Sequence, residues 1–392
     1  EVPLDRGLRG HRGRGRGPAR RAALGLTALL LLLAPTAAVA VEEPSPVTVV
    51  TAPEVTGETT FGETLAASTG EWETDEPGEP LTHSYRWFRD GEPVRGAREQ
   101  TYSLDLDDLR HRLQVEVTAT DADGYAETAL SEPTGKVTRA RLVLRGDPKV
   151  RGEQRFTRTV RATPGRWRTE PTKVRYRWLR DGEPIRGARE ASYRIGVADV
   201  GHRLRVEVVA TAPGHTRERA RSERTDKVAH RVDVQRSVTY SIATRGPVTA
   251  SVKEFARLAQ QTFEDPRGWR GGGVAFRRVA KGGSFTLVLA TAEQVPSFSS
   301  QCSSQWSCRV GRFVVINQTR WRHASPAWNA AGRSLRDYRH MVVNHEVGHW
   351  LGLGHSGCPG AGKPAPVMMQ QSKGRDGCTF NPFPTLAEQG RV

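Results

Sequence analysis

Asn344-His345-Glu346-Val347-Gly348-His349-Trp350-Leu351-Gly352-Leu353-Gly354-His355 is the stretch around which the last third of this chain is organised. An α-helix turns about 100° per residue, so side chains four apart stand one above the other on one face. His345 and His349 can therefore offer two imidazole nitrogens to one metal ion. Glu346 sits one step round from His345, close to such an ion yet free to act as a base. Gly352 can adopt a left-handed backbone conformation and end the helix, letting the chain fold back and return His355 as a third nitrogen donor. Three imidazoles around Zn2+ leave the fourth tetrahedral position for water, the arrangement of a catalytic rather than a structural site.

The spacing H-E-x-x-H-x-x-G-x-x-H resembles the zinc signature of the metzincin metallopeptidases. That family also carries a methionine turn beneath the metal. Pro366-Val367-Met368-Met369-Gln370 follows His355 at a suitable distance and holds two of the three Met of the chain, with Met368 favoured and Met369 the alternative. Helix, Gly turn and Met-turn together resemble an uncharacterised group of secreted bacterial metzincin-like domains, over roughly the last 160 residues.

The resemblance implies an α+β zinc peptidase domain. One catalytic Zn2+ would be held by His345, His349 and His355. Glu346 would move the proton of the attacking water, and Met368 would pack under the site. It further implies an extended peptide paired with an edge strand near Gly311 to Asn317, a form of strand addition; a buried interior strand is the alternative reading of that stretch. Some metzincins place a Tyr just after the Met; here no Tyr follows Tyr338. No Cys precedes Cys302, so a Cys-containing latency switch is not visible. The expected activity is a zinc-dependent endopeptidase acting on a peptide or protein. Two other classes stay open: a surface adhesion protein with a structural or inactive zinc domain, and a zinc amidase acting on cell-wall peptide.

The four Cys, at 302, 308, 358 and 378, all lie in this last region. An even count in an exported chain suggests two disulfides, and near neighbours favour Cys302–Cys308 and Cys358–Cys378. The second closes a loop worth roughly 3 kcal/mol in the chain-entropy model and clamps the segment bearing the Met-turn. The rival role for Cys358, a fourth metal ligand, would displace the water.

Residues 1–40 read as a signal peptide or signal anchor. Arg12, Arg14, Arg16, Arg20 and Arg21 form a basic head, an apolar run follows from Ala22 to Ala34, and Ala38-Val39-Ala40 fits a small-residue cleavage site. A secreted or cell-surface location follows, with membrane attachment only if the signal is uncleaved. Val41 to Pro46 reads as a short linker.

An internal repeat follows, with an offset of 91 residues. Tyr85-Arg86-Trp87-Phe88-Arg89-Asp90-Gly91-Glu92-Pro93 returns as Tyr176-Arg177-Trp178-Leu179-Arg180-Asp181-Gly182-Glu183-Pro184, and His111-Arg112-Leu113 as His202-Arg203-Leu204. Alternation of aromatic or apolar residues with polar ones marks strands, and Asp-Gly marks hairpin turns. The pattern W-x-R-D-G-x-P-I/V-x-G-A resembles bacterial immunoglobulin-like repeats, which implies two all-β sandwiches at 47–137 and 138–228, ahead of the peptidase-like domain at 229–392. Neither copy contains Cys, so Trp87 and Trp178 are expected to anchor the cores, sugar stacking being the alternative.

The net charge of +16 is unevenly spread: −14 over residues 41–137, +13 over 138–228 and +12 over 229–392. With no nucleic-acid motif in an exported chain, nucleic acid is not an expected partner; a cell-wall or other anionic surface polymer is. The opposite charges would also let the copies dock on one another. In the last domain, strands are expected at Ser237–Ile242, Val274–Val279, Phe285–Thr291 and Val310–Asn317. Helices are expected at Thr249–Phe263 and, capped by Ser334, at Leu335–Leu351, with Met341, Val342, Val347 and Leu351 facing the core.

Overall fold

The computed structural model describes residues 47–75 and 78–392. The expected export signal and the expected linker up to Pro46 lie outside the described residues. No helix among the described residues is long and apolar enough to cross a membrane.

Two β-sandwiches come first. In each, a strand bearing the repeat motif, Thr82–Arg89 or Lys173–Arg180, forms the middle of a four-stranded antiparallel sheet, and a three-stranded sheet packs against it. Asp90 and Gly91 both have positive φ, 47° and 87°, as do Asp181 and Gly182, 48° and 99°. Two such residues make the type I′ turn whose twist matches a hairpin. Trp87 and Trp178 are fully buried, so they are core residues, not stacking platforms. Each indole N–H donates to a backbone carbonyl, that of Glu99 or Glu190, at 2.9 Å. Burying an indole removes on the order of 200 Å² from water, worth ~5 kcal/mol before entropy. Apolar packing thus replaces the missing disulfide. Among the described residues no ion pair joins the acidic first sandwich to the rest of the chain; Phe61 meets His215 edge-on at 5.5 Å instead.

The C-terminal domain is a five-stranded sheet with helices packed against it. The strand order is Val274–Arg278, Arg236–Arg245, Phe285–Ala290, Phe313–Asn317, Cys308–Val310; the first four run parallel and the last is antiparallel. Helix α1 is Val252–Glu264, α2 Gln318–His323, α3 Pro326–Ala330, α4 Leu335–Trp350 and α5 Leu386–Gln389. Helix α1 starts later than Thr249 because Ser251 caps it, accepting from Glu254 N, while Thr249 N is taken by Gln318 Oε1 at 2.6 Å. Ser334 caps α4 as expected, accepting from Asp337 N. Helix α4 is buried from Met341 through Gly348, wedged between the sheet and the C-terminal segment, with Met341, Val342 and Val347 in the core and Leu351 half-buried.

The stretch Val310 to Asn317 departs from expectation. Gly311, at φ 54°, turns the chain so that Cys308–Val310 folds back on Phe313–Asn317. Phe313–Asn317 is consequently an interior strand, and the edge beside helix α4 is Cys308–Val310, not Gly311 to Asn317.

Candidate metal centre

Helix α4 carries His345, Glu346 and His349. The chain then leaves the helix through Gly352, at φ 99°, a value open to Gly but costly for residues with a Cβ. Gly352 N and Leu353 N close the helix end on His349 O (3.2 Å) and Gly348 O (3.0 Å), and the return brings His355 back over the helix. One nitrogen from each of His345, His349 and His355 lies within 4.8 Å of the others. His349 Nε2 is 3.2 Å from His345 Nε2 and 3.1 Å from His355 Nε2.

The other ring nitrogens explain this crowding. His345 Nδ1 is 2.7 Å from Val367 O, and His349 Nδ1 is 2.8 Å from Leu353 O. A carbonyl only accepts, so both Nδ1 atoms carry the proton and donate it. Both Nε2 atoms then present lone pairs. Two lone pairs 3.2 Å apart repel, and a cation between them turns the contact into ligation. The donor set and its fixed tautomers therefore fit Zn2+, which imidazole suits well. Burial also keeps the rings neutral: His345 is pushed down to about 3 by desolvation, and His349 and His355 are lowered by the same cause.

Glu346 lines the same cleft as the three His. It is buried, which raises its carboxyl to about 8, and among the described residues no hydrogen bond reaches it. A cation in the His cluster would favour the carboxylate again.

Met368 is fully buried directly under Gly348, where an added Cβ would run into its Sδ and into the Trp269 ring. A side chain at position 348 is thus excluded by the Met that holds the floor. Met369 instead packs with Ala365 and Cys378, so of the two it is Met368 that lies against Gly348.

What the sequence did not reveal is the clamp on this turn. Glu388 of α5, 3% exposed, accepts from Val367 N at 3.0 Å and Met368 N at 2.8 Å, and from Thr385 N at 2.7 Å. Since Val367 O orients His345, the Glu388 carboxylate helps to position an imidazole it never touches. Thr385-x-x-Glu388 carries the spacing of a helix capping box, but that signal does not announce the reach back of some twenty residues.

Both disulfides form with the expected pairing, Cys302–Cys308 and Cys358–Cys378; Cys358 is therefore not a metal ligand. The first ties down the loop entering the edge strand, and the second holds the segment after His355 against Ala365 and Met369. Between edge strand and helix lies a cleft of about 750 Å³. His345, Glu346, His349 and His355 lie along it, with Trp306 and Arg309 on its rim. Arg309 points away from the sheet core because its neighbours Cys308 and Val310 pack inward, with Val288 and Val295.

Residues 208–384 match a family described as a protein of unknown function (DUF3152); the match starts in the second sandwich and runs through the His cluster. No curated protein matches the chain. Among solved structures, similarity is found to the three N-terminal domains of the Highly Immunogenic Outer Capsid protein (Hoc) of bacteriophage RB49. The two are 17% identical over 50% of this chain and 65% of that one, with TM-score 0.21. A Ca2+-stabilised, ice-binding adhesin of an Antarctic bacterium is 12% identical over 49% of this chain and 52% of that one, at 0.23. The amphioxus IgVJ-C2 molecule is 14% identical over 39% and 92%, at 0.21. This chain thus spans less than two thirds of the first two. Scores this low leave the fold assignment to the strand pairing.

Proposed function

We propose that the C-terminal domain is a zinc-dependent endopeptidase of the metzincin type, exported with two sandwich modules that space it or attach it. The observation that carries this is the convergence of three imidazole nitrogens, two with tautomers fixed by carbonyls, beside a buried carboxylate with no other partner among the described residues. Zinc, when bound, supplies Lewis acidity, polarising a carbonyl and acidifying water. The remaining chemistry belongs to the chain. His345, His349 and His355 would hold the ion and move no proton. Glu346 would take a proton from the attacking water on its carboxylate and deliver it to the departing amine nitrogen, general acid–base work suited to a carboxyl held apart from other donors. The open edge of Cys308–Val310 would pair with an extended peptide, main chain to main chain, laying it along the cleft. With no Tyr after the Met-turn, none can assist from there.

The test is hydrolysis of a mixed peptide library, casein and cell-wall fragments by zinc-loaded protein, with a chelator control and the Glu346→Gln variant. Peptide cleavage that chelation stops, and that Glu346→Gln abolishes while retaining zinc, is the expected result. Cleavage of wall fragments alone would replace the endopeptidase with an amidase. Binding of substrates without cleavage by the zinc-loaded parent would point to an adhesin. Undiminished cleavage by Glu346→Gln would remove Glu346 from the mechanism.

A further inference from the structure

The two sandwiches share one fold, and from Thr82 onward each position of the first has its counterpart 91 residues further on in the second. That duplication gives an internal control for surface charge. On the four-stranded sheet of the second sandwich, the period of two sends Val174, Tyr176 and Trp178 inward and Lys173, Arg175 and Arg177 outward. The neighbouring strands add Arg205 and Glu207, then Arg219 and Arg221, on the same outer face. Six cations thus surround one carboxylate. The corresponding positions of the first sandwich are Thr82, Ser84, Arg86, Gln114, Thr128 and Leu130 around Glu116: one cation and one carboxylate. The second copy is the more basic overall, with 24 Lys and Arg against 7, and five of the seventeen extra cations lie on this face; what sets the face apart is their arrangement around one buried carboxylate.

The array is also pre-arranged. Glu207 is only 1% exposed because the arginines lie over it. Arg221 binds its Oε2 through Nε at 2.9 Å and Nη2 at 2.8 Å; Arg219 and Arg177 approach Oε1 at 3.3 and 3.6 Å. Arg175, Arg177, Arg219 and Arg221 are all exposed. The buried carboxylate so pairs with three guanidinium groups, Arg221 by hydrogen bonding and Arg177 and Arg219 by charge, and the number of cations leaves the face strongly positive. Ordering long side chains in advance removes part of the entropic cost of binding.

We propose that this sheet face of the second sandwich is a docking site for a linear, phosphate-backbone polymer. Guanidinium forks match the paired oxygens of a phosphate, and alternate residues on a strand repeat at roughly 6.6 Å, so successive arginines can meet successive phosphates of an extended chain. The outward positions of the face hold no aromatic residue on which a base could stack, which favours a plain phosphate chain over nucleic acid. The site stands independently of the proposed hydrolase.

The test is fluorescence anisotropy with labelled inorganic polyphosphate across a salt series, using the full chain. The triple variant Arg175→Ser, Arg219→Thr, Arg221→Leu places the first sandwich's own residues on the second, residues this fold demonstrably accepts. It is expected to lose at least tenfold in affinity and to reduce the log–log salt slope by about 2, three phosphate contacts at roughly 0.7 each. The reverse graft, Ser84→Arg, Thr128→Arg, Leu130→Arg, is expected to raise affinity, and does not depend on whether the first variant folds. Unchanged affinity and slope in both grafts overturn the site. Polyglutamate of equal charge, or single-stranded DNA, binding as tightly as polyphosphate overturns the ligand class.

Discussion

Replacing Glu388 with Ala should loosen a metal site that Glu388 does not touch. Its carboxylate accepts four hydrogen bonds, from Val367 N, Met368 N, Thr385 N and Thr385 Oγ1, at 2.7–3.0 Å. Val367 and Met368 are fully buried, so Glu388→Ala leaves two N–H groups without water or partner. Each unsatisfied buried group costs about 1–3 kcal/mol, so about 4 kcal/mol in sum. For a domain of this size that lowers Tm by roughly 8–16 °C. The loss would reach a bound metal because Val367 O accepts the hydrogen bond that His345 Nδ1–H donates. Removal of such outer contacts typically weakens metal binding about 10–100-fold. Glu388→Gln keeps one accepting oxygen but sets its NH2 against a buried N–H donor, so it should also cost about 1–3 kcal/mol for the unsatisfied group, on top of the lost charge. The assays are thermal melting with and without zinc, and competition for zinc against a chromogenic chelator. A Glu388→Ala protein that melts within about 2 °C of the parent and holds zinc equally well would refute the clamp.

Two more outcomes follow from burial and cross-linking. In metal-free protein the Glu346 carboxyl is raised to about 8, so the unfolded chain gives up a proton above about 4.5 that the folded chain keeps. Stability is therefore lost as pH rises from about 4.5 toward 8. Metal-free Glu346→Gln, which mimics the neutral form, should exceed the parent by a margin that grows over that window to a few kcal/mol, about 1.4 for each tenfold change in the acid dissociation constant. Equal pH profiles by chemical denaturation would remove the buried, unpaired carboxyl from the account. Replacing Cys358 and Cys378 with Ser should cost about 3 kcal/mol and reduce zinc affinity, because that cross-link packs against the Met-turn segment; a variant with unchanged melting and zinc binding would contradict this.

Sequence patterns carried the parts of this molecule whose physics is local or periodic. His345, His349 and Gly352 announce their geometry because helix pitch and the left-handed Gly fix where the next ligand can go. The repeat announced the sandwiches because Asp-Gly turns and alternating strands are short-range signals, and Trp87 and Trp178 lay on the alternating face. The edge of the sheet was not legible. Val310 to Asn317 reads as one strand with Phe313 to Ile316 at its heart, and only pairing shows that Gly311 divides it and that Cys308–Val310 takes the outer place.

The same distinction explains why the His cluster could be read and its support could not. A ligand must sit at a fixed step on its own helix, so its position is written in spacing. An orienting group need only arrive at the right point in space, from any element. Val367 O and Leu353 O are main-chain atoms that any residue would supply, so no side-chain pattern marks them. Glu388 is marked only as the partner of Thr385, a local role that it also fulfils. Its second role exists because α5 packs against the Gly-rich segment at Trp269–Gly272, where Gln389 Nε2 bonds Arg267 O and Gly268 O and Arg231 reaches Gln389 Oε1. Added Cβ atoms at Gly271 and Gly272 would collide with Gln389. Bulk at either glycine should therefore lift α5, withdraw Glu388 from Val367 N and Met368 N, and release the carbonyl that orients His345. The integrity of the His cluster thus depends on two residues without side chains, more than seventy positions upstream.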